Sequence, residues 1–146
     1  MLRQQVIAVF EQNRRAYSGT ILTITWSADG KTLAVATSIG VWLYNAADLT
    51  RPGRLLEGYI GSGSDMAFSP DSKIVASASW DTTIQLWAAD SGARLHTLIG
   101  HTGPVLGMAF SPVGITLASA SSDHTVRLWE VSSGRALHTL SGLRDQ

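Results

Sequence analysis

The segment "GHTGPVLGMAFSPVGITLASASSDHTVRLWE" fills residues 100–130, and a closely similar segment, "GYIGSGSDMAFSPDSKIVASASWDTTIQLWA", fills residues 58–88. The string "MAFSP" occurs at 66–70 and again at 108–112, and "ASAS" recurs at the same offset. The separation of Phe68 from Phe110 therefore defines one period of the sequence. A weaker third copy begins earlier, because "SADG" at 27–30 stands one period before "SPDS" at 69–72. Self-similarity at a period of about 20–50 residues indicates a repeat architecture, so the chain is predicted to contain three structural repeats.

Each repeat is predicted to contain four short β-strands, because runs of β-branched and apolar residues alternate with turn formers. The third repeat places the strands at 105–110, 115–121, 125–130 and 136–140. The second repeat places them at 64–68, 73–79, 83–88 and 94–98. The first repeat places them at 21–26, 32–37 and 41–45, with a poorly defined fourth strand near 54–57.

Four antiparallel strands in a repeat of this length form one blade of a β-propeller. Such a sheet buries both faces only when neighbouring sheets stack on it. The predicted fold is thus all-β, with three blades in one chain. The predicted boundaries are a lead segment (1–17, a short helix or an edge strand), blade 1 (18–57), blade 2 (58–99), blade 3 (100–142) and a tail (143–146).

Composition excludes several classes of protein. Hydrophobic residues make up 45% of the chain and charged residues 15%, which is too apolar for a disordered protein. The formal net charge is zero and no run of basic residues occurs, so neither a nucleic-acid partner nor a membrane partner is predicted. The absence of cysteine excludes disulfides and thiolate chemistry. No apolar run is long enough for a signal sequence or a membrane span, so a cytoplasmic location is expected.

The motifs within the repeats resemble those of the WD-repeat family of β-propellers. The third repeat contains "GH" at 100–101, "LAS" at 117–119, "DHTVRLW" at 123–129 and "SG" at 133–134. The resemblance extends from Ser18 to Gly142, nearly the whole chain. It implies a propeller whose rigid sheets carry loops that bind other proteins.

The resemblance also implies a structural role for four side chains of blade 3. In WD-repeat blades, the His of "GH", a Ser or Thr of the second strand, the Asp before the third strand and the Trp of that strand form a hydrogen-bonded tetrad. By motif match these are His101, Ser119, Asp123 and Trp129, with Ser121 as the less favoured serine. The chemistry suits this role, because the carboxylate can accept from the imidazole and the hydroxyl can link imidazole to indole.

Blades 2 and 1 depart from the tetrad pattern. Blade 2 retains Ser77, Asp81 and Trp87, but Tyr59 stands where the histidine is expected, so this tetrad is partial. In blade 1, "TSIG" at 37–40 replaces the aspartate turn and Tyr44 replaces the tryptophan. Blade 1 is therefore expected to lack the tetrad and to be the loosest of the three.

A histidine, a serine and an aspartate are also the components of a nucleophilic hydrolase. That chemistry requires an exposed, activated serine and an oxyanion hole, and no G-x-S-x-G turn is present. No enzyme activity, metal site or cofactor is predicted, and a hydrolase in the propeller funnel remains a remote alternative. The repeated "LHTL" strings place His96 and His138 on strand surfaces rather than in a metal site.

Three blades make an arc rather than a ring, so the arc is expected to end in open apolar faces. The favoured prediction is head-to-tail self-association into a dimer of six blades or a trimer of nine blades. Two alternatives stay open: the chain is a fragment of a longer propeller, or residues 1–17 cover one open face.

The predicted function is a non-catalytic scaffold that binds an unidentified protein or peptide. By the resemblance, the loops that flank the first strand and the loops that join the second and third strands are expected to share one face of the arc. Candidate contact residues on that face are Trp80, Tyr59, His124, Ser122 and Ile39, and Trp80 is favoured because large aromatic residues are enriched in binding hot spots. The alternative is a sensor or adaptor module of a larger bacterial-type signalling protein.

Overall fold

The computed structural model describes residues 19–56 and 63–142. The lead segment, the tail and Tyr59 therefore lie outside the described residues. The described residues form twelve strands and no helix. The strands are β1 (Ile21–Trp26), β2 (Thr32–Thr37), β3 (Gly40–Asn45), β4 (Arg54–Leu56), β5 (Gly63–Phe68), β6 (Ile74–Ser79), β7 (Ile84–Ala88), β8 (Arg94–Leu98), β9 (Val105–Phe110), β10 (Thr116–Ser121), β11 (Val126–Glu130) and β12 (Ala136–Leu140).

The strands form three antiparallel sheets of four strands each, and each sheet follows the chain order from β1 to β4, β5 to β8 and β9 to β12. This confirms the predicted all-β fold of blades. The first hairpin of blade 1 closes through Ser27, whose hydroxyl donates to Asp29 at 2.6 Å and accepts from Thr32 N at 2.9 Å. Ser69 makes the corresponding contacts in blade 2. Ser27 and Ser69 thus fix these hairpins.

Blades 1 and 2 each pack the forward face, defined as the face toward the next blade, on the rear face of that next blade. The forward face of blade 2 consists of Ala76, Ala78, Ile84, Leu86 and Leu98. It forms one buried cluster with Val105, Leu117, Trp129 and Val131 of blade 3. The forward face of blade 1 consists of Ala34, Ala36, Val41, Leu43 and Leu56, and it buries Met66, Val75 and Trp87 of blade 2.

The two ends of the arc differ. The forward face of blade 3 consists of the residues one period after those of blade 2, namely Ala118, Ala120, Val126, Leu128 and Leu140. Leu140 is 50% exposed, whereas Leu98 is 1% exposed. This face is open, as expected.

At the other end, the expectation of a broadly exposed face is wrong at the centre of blade 1. Leu33, Val35 and Tyr44 of its rear face are buried in a third cluster. Only the inner strand of this face is open, where Ile24 and Trp26 remain about 40% exposed.

No helix in the described ranges is long and apolar enough to cross a membrane.

Candidate functional site

The structure brings the four predicted tetrad side chains of blade 3 into one hydrogen-bonded chain. The indole Nε1–H of Trp129 donates to Ser119 Oγ at 2.8 Å. Ser119 Oγ lies 2.8 Å from His101 Nε2, and His101 Nδ1 lies 2.8 Å from Asp123 Oδ2. Every donor finds an acceptor when the imidazole is neutral with its proton on Nδ1. The chain therefore links the loop before β9 to β10, the turn before β11 and β11 itself.

Asp123 accepts more hydrogen bonds than the motif predicts. Its carboxylate also accepts from the main-chain N–H of Thr102 at 3.0 Å, from the N–H of Thr125 at 2.9 Å and from the Thr125 hydroxyl at 2.6 Å. Burial alone would raise the pKa of Asp123, but the hydrogen bonds from Thr125, His101 and Thr102 outweigh it and hold this pKa well below 3.8. The carboxylate is thus ionised at neutral pH and fixes two separate loops.

Blade 2 carries a reduced version of this network. Trp87 Nε1–H donates to Ser77 Oγ at 3.0 Å, as in blade 3. Asp81 accepts only from the N–H and the hydroxyl of Thr83, at 2.9 Å and 2.7 Å, in the part of the chain that is described. Tyr59, at the histidine position, lies outside that part.

In blade 1, Thr37 occupies the corresponding turn and donates its hydroxyl to the carbonyl of Gly40 at 2.9 Å. Thr37 also accepts from Ile39 N at 3.3 Å, as Ser79 accepts from Asp81 N, so it takes the place of that serine rather than of the aspartate. Whether blade 1 is the loosest blade stays a prediction.

The Ser119–His101–Asp123 chain has the connectivity of a catalytic triad but not its accessibility. Ser119 is 1% exposed, so no substrate carbonyl can reach its oxygen from solvent. The Trp129 indole already donates to the same oxygen. Ser121, the less favoured serine, donates instead to the carbonyl of Gly103 at 2.9 Å. This arrangement links loops and strands by hydrogen bonds and leaves the serine oxygen buried.

The second group of predicted residues lies on the turns between the second and third strands. Trp80 is 58% exposed and Ile39 is 44% exposed, and Ser122 and His124 are also exposed. The strand 1–strand 2 turns of the three blades lie side by side, since Asp29 N donates to Ser72 Oγ at 3.0 Å and Gly114 lies against Pro70. The strand 2–strand 3 turns therefore share the opposite end of the sheets. The structure thus places these four residues on one face of the arc, while Tyr59 is outside the described residues.

Among the polar contacts between blades that the sequence analysis did not predict, two recur with the repeat period. Arg54 Nη1 donates to the carbonyl of Asp90 at 2.7 Å, and His96 Nε2 lies 3.0 Å from the carbonyl of Ser132. The two side chains are one period apart, and so are the two carbonyls, so the period itself was the signal that could have revealed them. In each case the outer strand of one blade binds the turn after the third strand of the next.

Within the described ranges, no group of three or more His, Cys, Asp or Glu side chains is placed to hold a metal ion.

Comparison with known families identifies the repeats. The family described as "WD domain, G-beta repeat" matches residues 53–88 and 92–130, together just over half of the chain. The chain belongs to the WD40 repeat family. The matched ranges include the tetrad residues Ser119, Asp123 and Trp129 of this WD40 chain.

WD40 relatives and structures are longer than this chain. The U5 small nuclear ribonucleoprotein 40 kDa protein of Pongo abelii is 30% identical over 89 residues, which cover 58% of this chain and 24% of the relative. The crystal structure of the RRP9 WD40 repeats matches 90% of this chain and 41% of its own, with a TM-score of 0.79 and 26% identity. The structure of U3-55K matches 90% of this chain and 42% of its own chain, with a TM-score of 0.76 and 27% identity. The chain thus spans about a quarter of the relative and two fifths of the two structures.

Proposed function

We propose that this WD40 chain is a non-catalytic scaffold that binds a protein or peptide on the face formed by its strand 2–strand 3 turns. The observation that carries the proposal is the indole of Trp80, which is 58% exposed at the tip of a tight turn. Tryptophan supplies a large contact area at a small cost in side-chain entropy, which is why it is enriched in binding hot spots.

The turn beneath Trp80 is held by its own hydrogen bonds. Asp81 N donates to Ser79 Oγ at 3.0 Å, and Asp81 accepts from the N–H of Thr83 at 2.9 Å. Thr82, which lies between Asp81 and Thr83, adopts a left-handed φ of 81°, which is rare for a β-branched residue. A turn fixed in this way presents the indole with little ordering cost on binding.

The other candidates extend the same face across the arc. Ile39 of blade 1 adds apolar surface, while His124 and Ser122 of blade 3 add donors and acceptors. A protein segment that crosses the three turns would meet an apolar centre with polar flanks, which is the usual composition of a protein interface. Tyr59 is proposed for this face from its sequence position alone.

Capture of partners on the immobilised chain tests this function. The Trp80→Ala variant is expected to lose the captured protein, because it removes the proposed anchor without touching a buried contact. The matched control is Val113→Ala, which removes another exposed apolar side chain at the opposite end of the sheets. Equal capture by wild type and Trp80→Ala would remove Trp80 from the proposed interface.

The tetrad has a structural role in this proposal, not a catalytic one. Its serine is buried and its aspartate is used to join two loops. We expect no hydrolysis of a generic ester by the wild-type chain. Turnover that Ser119→Ala abolished would instead support the hydrolase alternative.

Self-association into a more complete propeller is the second part of the proposal. It is favoured by the open forward face of blade 3, where Leu140 is 50% exposed. A mass equal to one chain at micromolar concentrations in light scattering would contradict it. A cytoplasmic site of action is also proposed, and the nuclear particle in the relative's name makes the nucleus the alternative for a localisation experiment.

A further inference from the structure

We infer that the forward face of blade 3 binds the inner strand of blade 1 of a second copy of this chain, head to tail, with Trp26 in the contact. The inference rests on the self-association proposed above and assigns the two surfaces that carry it. It follows from the repetition of the contacts between blades inside the chain.

The forward face of blade 3 is a copy of a surface that is buried elsewhere in the molecule. Leu98 and Ala78 of blade 2 are 1% and 0% exposed because blade 3 covers them. Their counterparts one period later, Leu140 and Ala120, are both exposed. The forward face of blade 3 thus carries equivalent side chains on equivalent strands, but it lacks the covering blade that blades 1 and 2 have.

The inner strand of blade 1 carries side chains that could pack against the forward face of blade 3. In blades 2 and 3, Phe68 and Phe110 pack against the forward face of the preceding blade. Trp26 stands one period before Phe68, at the same position of the inner strand, and is 38% exposed. Ile24 stands one period before Met66 and is 42% exposed. One copy therefore offers the inner-strand part of the missing partner surface, while Leu33 and Tyr44, the counterparts of Leu117 and Trp129, are already buried within their own chain.

A polar contact would set the alignment of the two copies. Arg54 donates to the carbonyl of Asp90, and His96 lies 3.0 Å from the carbonyl of Ser132. His138 is the next member of this series, one period after His96. It makes no hydrogen bond with any described residue, because no described blade follows blade 3 to supply its acceptor.

The acceptor position in a second copy is the carbonyl of Ala47. Ala46 N donates to the carbonyl of Lys31 in blade 1 as Ala89 N donates to the carbonyl of Lys73 in blade 2, so Ala47 is the counterpart of Asp90. The segment from Ala47 to Arg54 is one residue longer than the segment from Asp90 to His96. The polar contact is therefore expected to be weaker between copies than within one chain.

Head-to-tail contacts use different surfaces on the two partners, and this permits a complementation test. The variants are Leu140→Asp, which blocks only the forward face, and Trp26→Asp, which blocks only blade 1. The mass of each is measured by sedimentation velocity from low to high micromolar concentrations. The mass of the wild type is expected to exceed that of one chain. Each variant alone is expected to have the mass of one chain at every concentration.

An equimolar mixture of the two variants is expected to form a dimer and nothing larger, because one intact forward face meets one intact blade 1. A mixture that stays monomeric overturns the head-to-tail contact, as does a variant that retains the wild-type mass. A monomeric wild type instead refutes self-association itself and leaves the Trp80 face unaffected.

Leu95→Asp is the matched control, since Leu95 is 43% exposed but lies on neither surface. It should retain the wild-type mass. Circular dichroism establishes that each variant folds. If Leu140→Asp or Trp26→Asp does not fold, Ala120→Asp or Ile24→Asp replaces it, with the same expected masses.

Discussion

Replacing Asp123 with alanine should destabilise the fold far more than its loop position suggests. The variant removes the acceptor of the His101 imidazole and of both donors of Thr125. The side chains of Asp123 and His101 are 6% and 1% exposed, so water cannot readily replace the lost contact with the imidazole. The N–H of Thr102 is exposed and can bind water. The expected loss is roughly 3–4 kcal/mol, from two or three lost hydrogen bonds to a buried charged group.

Blade 2 supplies a matched control for this measurement. Asp81 occupies the same turn position but binds only Thr83 within the described ranges, and it is exposed. Asp81→Ala is therefore expected to cost roughly 1 kcal/mol. The difference between the two variants isolates the contribution of the His101 link and the Thr102 contact, roughly 2–3 kcal/mol.

Equilibrium urea unfolding, followed by tryptophan fluorescence, measures both losses. The midpoint should fall strongly for Asp123→Ala and slightly for Asp81→Ala, with an unchanged slope. Equal losses for the two variants would refute the reasoning, because the tetrad of blade 3 would then add nothing beyond the local turn.

Three other outcomes follow from the same contacts. Ser119→Ala should cost more than Ser77→Ala, by about 1 kcal/mol in urea unfolding, because it removes the partner of His101 Nε2 as well as that of the Trp129 indole, whereas Ser77→Ala removes only the partner of the Trp87 indole. Gly134→Ala should cost about 1–2 kcal/mol in the same assay, since φ is 71° and the new methyl would press on blade 2, whereas Gly107→Ala, in open space, should be nearly neutral. The lowered pKa of Asp123 adds stability that is complete above about pH 5 and is lost as pH falls below the unfolded value near 3.9, so acid titration of Asp123→Asn should show a weaker dependence.

The strands were predictable because a single period and the alternation within it define them. The strand at 105–110 has identical bounds in the structure, and the strand predicted at 115–121 begins one residue later, at Thr116. The side chains of His101 and Asp123 could be placed together because the motif fixes their positions relative to β10 and β11. The predicted blade boundaries stay a prediction, and the boundary at 57/58 falls outside the described residues.

Contacts between blades were less accessible from sequence, because they depend on the angle at which two sheets stack. His96 was interpreted as a strand-surface residue, and its approach to Ser132 appears only when blade 3 is in place. Arg54 makes the same contact with a different side chain, so the repeated "LHTL" string does not reveal it. Thr125 was missed, although "DTT" at 81–83 and "DHT" at 123–125 repeat the same spacing of aspartate and threonine and could have revealed the contact.

The middle position of blade 2 has a consequence for how the molecule opens. Blade 2 supplies side chains to two buried clusters, whereas blades 1 and 3 each share only one cluster with a neighbour. In a single, unassociated chain, a local fluctuation that detaches blade 1 or blade 3 thus exposes one layer shared between blades, and one that detaches blade 2 exposes two. Amide hydrogens of β6 and β7 should accordingly exchange with deuterium most slowly, even though the more complete polar network belongs to another repeat.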